Sequence, residues 1–217
     1  MTAALMRGRD LIGRPVVSGS TGDDLAEIKV VVFDVRHGLI TGFTLRKRGF
    51  LGRRLKTVLS TSAVVSVGTH AVMVDSEDAL SNFDEAPDEL VSPGSDDVLR
   101  DQVITESGRV LGNVRDVIIV GGTDPRVVGF EVTGGSVGDG LVPLGVQSAV
   151  SGSALIVPDS YEQRIRTDLT GFASELSVIE GEGVTGPIRI ALHDHCPVGA
   201  PGRRCDRVRP TRRGRSG

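Results

Sequence analysis

Two stretches of this 217-residue chain repeat one another, and a repeat rules out reading the chain as one long fold. Asp10, Leu11, Ile12, Val16 and Val17 return as Asp97, Val98, Leu99, Val103 and Ile104 at a spacing of 87. Gly22, Leu25, Ile28 and Lys29 return as Gly108, Leu111, Val114 and Arg115 at 86, and Gly42, Phe43 and Leu45 as Gly129, Phe130 and Val132 at 87. Val58 answers Val142, and Ala71 to Val74 answers Ala154 to Val157 at 83. The changes of spacing fall in turns. Each unit is then about 65–70 residues long, near the lower limit for a domain with its own core.

Within each unit the pattern is that of short strands between turn signals. Val30 to Phe33 and Val117 to Val120 are unbroken apolar runs that read as buried strands, followed by the glycine turns His37-Gly38 and Gly121-Gly122. Val128, Phe130 and Val132 alternate with Glu131 and Thr133, which predicts a strand with one face in the core and the other in water. Aromatic residues make up only 3% of the chain, with no Trp and one Tyr, so the cores must be built from Val, Leu and Ile. The β-branched members of that set favour strands. No window of 12 or more residues in either unit carries a helical stripe. Small open sheets would expose two long edges each, and closure into a barrel removes them. The predicted fold is all-β, with one small β-barrel over residues 8–76 and a second over 97–158.

Between them lies an acidic linker, residues 77–96. Residues 76–97 hold eight acidic and no basic side chains together with Pro87, Pro93 and Gly94, the composition of a solvated tether that leaves the relative orientation of the barrels free. After the second barrel, Ile165, Leu169, Phe172 and Leu176 are spaced for a short helix. Val178, Ile179, Gly183, Gly186, Ile188 and Arg189 then echo Val103, Ile104, Gly108, Gly112, Val114 and Arg115. For 159–192 this predicts a short helix and a hairpin at 176–192, a third repeat cut short. Residues 193–217, with Pro197, Pro201, Pro210 and seven Arg, predict a disordered basic tail.

Leu11-Ile12-Gly13-Arg14-Pro15-Val16-Val17, then Gly22 to Ile28, Val31 to Asp34 and Gly42-Phe43-Thr44-Leu45, resemble the PRC-barrel family, and Val103 to Val132 resembles it again. That family is named after the cytoplasmic domain of the photosynthetic reaction-centre H subunit. The same fold forms the C-terminal domain of a ribosome-maturation factor that binds a small-subunit ribosomal protein. The resemblance implies tandem PRC-like β-barrels acting as interaction modules without enzyme activity of their own. No counterpart of the H subunit's membrane helix or of the maturation factor's N-terminal domain is expected, so neither specific role is implied.

The net charge of −3 is distributed in blocks. Residues 1–75 carry 11 basic and 6 acidic side chains, 98–192 carry 7 and 12, and 193–217 carry seven Arg against Asp194 and Asp206. The densest basic segment is Arg46-Lys47-Arg48-Gly49-Phe50-Leu51-Gly52-Arg53-Arg54-Leu55-Lys56, six cations in eleven positions with Phe50 and Leu51 between glycines. One reading is a solvated loop that keeps a small barrel soluble. The other is a contact site for nucleic-acid phosphate, an acidic protein or an anionic membrane surface. The second unit has Gly134 to Gly140 at the equivalent place. This asymmetry, with an apolar pair rimmed by charge, selects Arg46, Lys47, Arg48, Phe50, Leu51, Arg53, Arg54 and Lys56 as the expected partner-binding residues.

No catalytic constellation is present in the sequence. The run Gly134 to Gly140 lacks the Lys-Ser or Lys-Thr of a phosphate cradle and joins strand to strand, so it reads as a flexible hairpin. His193, His195, Cys196 and Cys205 match no standard zinc spacing, so neither a metal nor a cofactor is expected, and a disulfide between the cysteines does not suit the cytosol. His37 and His70 sit at turns without the pattern of a triad, and the carboxylates of 77–97 lie in a linker where burial cannot tune them. The longest charge-free run, Gly140 to Pro158, is too polar to span a membrane. Arg7, Arg9 and Asp10 precede any stretch suited to a signal peptide, so a cytoplasmic protein is expected. The expected function is a non-enzymatic adaptor that holds a macromolecular partner, a protein in the first instance, through exposed strands and the 46–56 loop. An RNA- or ribosome-associated factor is the alternative, recognisable by steep salt dependence. A small-molecule or metal-dependent enzyme is a third reading, and it needs a deep polar pocket that small barrels fill with side chains.

Overall fold

The computed structural model describes residues 4–34, 38–46, 57–82, 98–136, 138–145, 149–151 and 154–181. The first unit begins with a short strand, β1 (Leu5–Arg7), and a single helical turn, α1 (Gly8–Leu11). It continues with β2 (Pro15–Ser18), the long β3 (Asp24–Asp34), β4 (Leu39–Arg46), β5 (Thr57–Ser60), β6 (Val64–Val67), β7 (Val72–Val74) and β8 (Leu80–Asn82). The second unit consists of β9 (Gln102–Thr105), β10 (Val110–Val120), β11 (Arg126–Thr133), β12 (Gly140–Pro143), β13 (Ala149–Ser151) and β14 (Ala154–Val157). A 3-10 segment, Asp159–Arg164, and a helix, α2 (Leu169–Gly181), follow. Strands dominate, as the β-branched composition requires.

The two units have the same pairing. In the first the order is β8-β5-β4-β3-β2-β7-β6, with β2 and β7 parallel and the other neighbours antiparallel. In the second it is β12-β11-β10-β9-β14-β13, again with one parallel pair, β9 and β14, and Arg166 bridges Leu141 of β12 where β8 lies in the first unit. Each curls around an apolar interior, although no pairing among the described residues joins the end strands into a closed ring. Matching reaches single hydrogen bonds. Gly13 N–H donates to the Ile28 carbonyl at 2.8 Å, and Arg100 N–H to the Val114 carbonyl at 2.8 Å. The buried hydroxyls of Ser18 and Thr105 lie 2.9 Å and 3.0 Å from those of Ser20 and Ser107.

One pair of equivalent positions is unequal in chemistry. Gly13 has φ +84°, and Arg100 takes φ +86° in the same turn, the only positive φ at a non-glycine residue among the described residues. A Cβ in this region costs about 1–2 kcal/mol. Arg100→Gly is therefore expected to raise stability by about 1 kcal/mol once the added freedom of the unfolded chain is set against it, read as a higher urea midpoint at unchanged slope.

Two bulges in each unit alter the predicted alternation. The β3–β4 register slips between Ile28 and Val30 and again between Val32 and Phe33, and β10–β11 slips at the equivalent places. The first slip turns Lys29 and Arg115 outward and keeps Ile28, Val31 and Phe33, and Val114, Val117 and Ile119, all facing the core. The second corrects the expectation that Val128 shares a face with Phe130. Val127 joins Phe130 and Val132 in the main core, while Val128 packs outside with Ile118, Leu141 and Phe172. By register Val58 corresponds to Leu141 and Leu59 to Val142, one position from the sequence match.

Three further expectations change. Residues 77–82, assigned to the linker, begin with a 3-10 turn, Glu77–Ala79, and β8, which pairs with β5. The hairpin expected from 176 is preceded by helix as far as Gly181. Leu169, Phe172, Leu176 and Ile179 form the apolar stripe of α2, and Asp168 caps it through Gly171 N–H at 2.8 Å. The rest of that hairpin and the tail at 193–217 lie outside the described residues. Finally, the linker does not leave the barrels free to turn, because they touch directly. Strand β1 pairs with β10, Leu39 pairs with Arg126, and Val67 and Gly122 exchange backbone hydrogen bonds of 2.8 Å each. Hydrogen bonding thus runs through all 14 strands, and α1 packs on β10 beside them.

Candidate interaction surfaces

The predicted basic loop leaves the first barrel between β4 and β5, whose last pair is Leu45 with Thr57. Arg46 closes β4 with its side chain largely exposed, and it reaches across to Glu27 of β3 at 2.8 Å. Lys47, Arg48, Phe50, Leu51, Arg53, Arg54 and Lys56 lie outside the described residues. The second barrel shows how differently the equivalent hairpin is built. Gly134, Gly135 and Gly138 take φ of +74°, +72° and +70°, and Ser136 donates from N–H and hydroxyl to the Val110 carbonyl at 3.1 and 3.0 Å. A Cβ on Gly135 would sit 2.6 Å from the Leu111 carbonyl, so the glycines let this turn fold back onto its own barrel. The sequence reading of the run as a flexible hairpin misses that close approach. Between equivalent pairs, Leu45 with Thr57 and Val132 with Gly140, the first barrel's connection has four residues more.

A second charged site lies where the barrels meet. Glu131 of β11 and Asp116 of β10 are buried, and among the described residues their cations are Arg7 and Arg9 of the first unit. Arg9 holds Glu131 with both terminal nitrogens, at 2.6 and 3.3 Å, and Arg7 Nε reaches the same carboxylate at 3.3 Å. Asp116 accepts the backbone N–H of Arg9 at 3.2 Å and of Val117 at 2.8 Å. Gly8 passes so close that a Cβ there would meet Val117 Cγ2 at 2.7 Å and Asp116 Oδ1 at 2.9 Å. Strand alternation alone puts Glu131 on a wet face and does not reveal this cluster. Its signal is Asp116 at the head of the apolar run Val117 to Val120 and Glu131 between Phe130 and Val132, against Val30 and Thr44 at the same places in the first unit.

Burial pushes the Asp116 carboxyl above the ordinary range, assisted by the charge of Glu131 and opposed by the N–H groups of Arg9 and Val117 and the Arg9 charge. A carboxyl raised on folding binds its proton more tightly in the native state than in the unfolded chain. Its contribution to stability is present below the unfolded pKa and is lost as pH rises through the folded one. Asp116→Asn removes this titration. Lowering the pH from about 7 to about 4.5 is therefore expected to stabilise wild type relative to Asp116→Asn, read by urea unfolding at the two values. An unchanged difference would show that the carboxyl titrates as it does in the unfolded chain.

His70 lies exposed at the turn between β6 and β7, while His37, His193, His195, Cys196 and Cys205 lie outside the described residues. Among the described residues no three His, Cys, Asp or Glu side chains are grouped to hold a metal ion, and no helix is long and apolar enough to cross a membrane.

Strand order, the single parallel pair in each unit and the shared turns define a tandem of small curled β-barrels. The profile of the PRC-barrel domain matches residues 4–80 and again 94–164, and the chain belongs to the PRC-barrel family. Comparison with curated proteins finds no significant match.

Proposed function

We propose that this protein is a non-enzymatic adaptor that docks an acidic face of a partner protein on the β4–β5 loop of its first barrel. The observation that carries this reading is the inequality of the two hairpins. One is shorter, glycine-built and folded back, and the other has four residues more and carries Arg46, Lys47, Arg48, Arg53, Arg54 and Lys56 around Phe50 and Leu51. Exposed strand supports it as a secondary contact, since β6 is an uncharged end strand on which Val65 is 45% exposed.

Replacing Arg46, Lys47, Arg48, Arg53 and Arg54 together by Gln is expected to weaken capture of partners by about tenfold, chiefly through slower association. Phe50→Ser with Leu51→Ser is expected to weaken it with little change in salt dependence. Pull-down yields at two ionic strengths, with unfolding curves to show that both variants remain folded, make the test. Unchanged yield from the neutralised protein would refute the proposal. A captured fraction dominated by RNA, with log affinity falling linearly with log salt, would replace it with the ribosome-associated reading.

A further inference from the structure

The buried carboxylates of the second barrel, Asp116 and Glu131, form with the edge of β10 a site whose occupant is already visible. Residues 5–7 lie on it as an added strand, with Leu5 opposite Val120, Met6 opposite Ile119 and Arg7 opposite Ile118, and Gly8 and Arg9 follow in the helical turn α1 that packs on β10. Each position is read differently. Leu5 packs on the outer cluster of Ile118, Val128, Leu141 and Phe172, while Met6 is buried in the main core. Arg7 and Arg9 converge on Glu131, and the backbone N–H of Arg9 meets Asp116. Position 8 must be glycine, because a Cβ would overlap Asp116 and Val117. Main-chain pairing that supplies affinity, with pockets and charges that read successive side chains, is the physics of peptide recognition by strand addition.

We propose that the β10 edge with Asp116 and Glu131 is a strand-addition site for a peptide of the pattern apolar-apolar-Arg-Gly-Arg, extended over its first three positions and turning at the Gly, and that residues 5–9 are its resident occupant, exchanged when a partner protein presents the same pattern. Charge complementarity selects the ligand. Two buried carboxylates whose cations, among the described residues, all come from the other unit require a dibasic segment, and the missing space at the centre requires Gly between the two Arg. The resident is suited to exchange. It is a three-residue end strand whose strand partner among the described residues is β10 alone, and it joins β2 through Ile12, which is 55% exposed, and Gly13 at φ +84°.

The probe is a labelled peptide of residues 4–10, Ala-Leu-Met-Arg-Gly-Arg-Asp, titrated into the full chain by fluorescence anisotropy. In wild type the resident strand competes. Arg7→Ala with Arg9→Ala weakens the resident and leaves the site intact, so this variant is expected to bind the peptide at least about tenfold more tightly than wild type. The same peptide carrying Gly8→Ala, and the full chain carrying Glu131→Gln in addition, are each expected to lose about tenfold or more. Hydrogen exchange of Ile118, Ile119 and Val120 in wild type with saturating peptide gives a readout that does not depend on the variants folding, and slower exchange than without peptide is expected. Equal binding by wild type and the double variant, or equal binding of the peptide with and without Gly8→Ala, would overturn the proposal. A wild-type dimer dissolved by the peptide would overturn its choice of a foreign partner and assign the site to a second copy of the chain.

Discussion

Phe172→Ala is expected to cost about 3–5 kcal/mol, the range for truncating a fully buried aromatic side chain. Phe172 is the point at which α2 is fastened to the second barrel. Its ring lies over Gly129 so closely that a Cβ there would come within 2.5 Å of Cζ, and it fills the space bounded by Ile118, Val128 and Leu141. Of the other stripe residues Ile179 is buried as well, while Leu169 and Leu176 are only partly buried, and the Arg166–Glu175 ion pair lies at the rim. Losing the ring should therefore lower the melting temperature by about 10 °C and speed hydrogen exchange throughout α2, while amides of the first barrel keep their protection. A loss below about 1 kcal/mol would mean that the helix is held by its polar rim.

Gly121→Ala is expected to cost about 2–3 kcal/mol, at the upper end for forcing atoms into a filled space. A Cβ at this position would lie 2.5 Å from the Val67 carbonyl and 2.8 Å from Met6 Cε. The methionine can turn away, but the carbonyl is backbone, and its residue holds the reciprocal hydrogen bonds to Gly122 that join the barrels. Gly121 N–H also donates to the Ala4 carbonyl at 2.9 Å, next to β1. The substitution pushes on both connections at once. Calorimetry is expected to show the single unfolding transition of wild type broadening into two as the barrels uncouple. A sharp single transition at the wild-type temperature would show that the seam yields without loss.

What the sequence made legible was whatever repeats. Glycines at turns and aliphatic residues at fixed spacing located both barrels, because Gly22 and Gly108, or Phe43 and Phe130, do the same work in each. Period-two reasoning failed at Val128 because a bulge consumes one residue and reverses the facing of what precedes it. It failed at Glu131 for a different reason: the cover over that face comes from Arg9, 122 residues earlier, and no local pattern can announce it. The echo of a third repeat at Val178 and Ile179 was outweighed by a helical stripe with a surface to pack on, a case of tertiary contact overriding short-range resemblance. Of the expected binding residues, Arg46 alone is among the described ones, and its ion pair with Glu27 follows from the register of β3 on β4.

Leu39 and Arg126, the residues that pair where β4 meets β11, stand 87 positions apart and are counterparts in the two repeats. An antiparallel contact between a residue and its own counterpart marks a local two-fold axis, the arrangement of an isologous homodimer carried within one polypeptide. In a true homodimer every substitution appears on both sides of the axis. Here each half can change alone, so a basic loop can arise on one barrel and a pair of buried carboxylates on the other without either being copied across. Covalent linkage also makes the association independent of protein concentration. Dilution that would separate two free subunits leaves this pair facing each other.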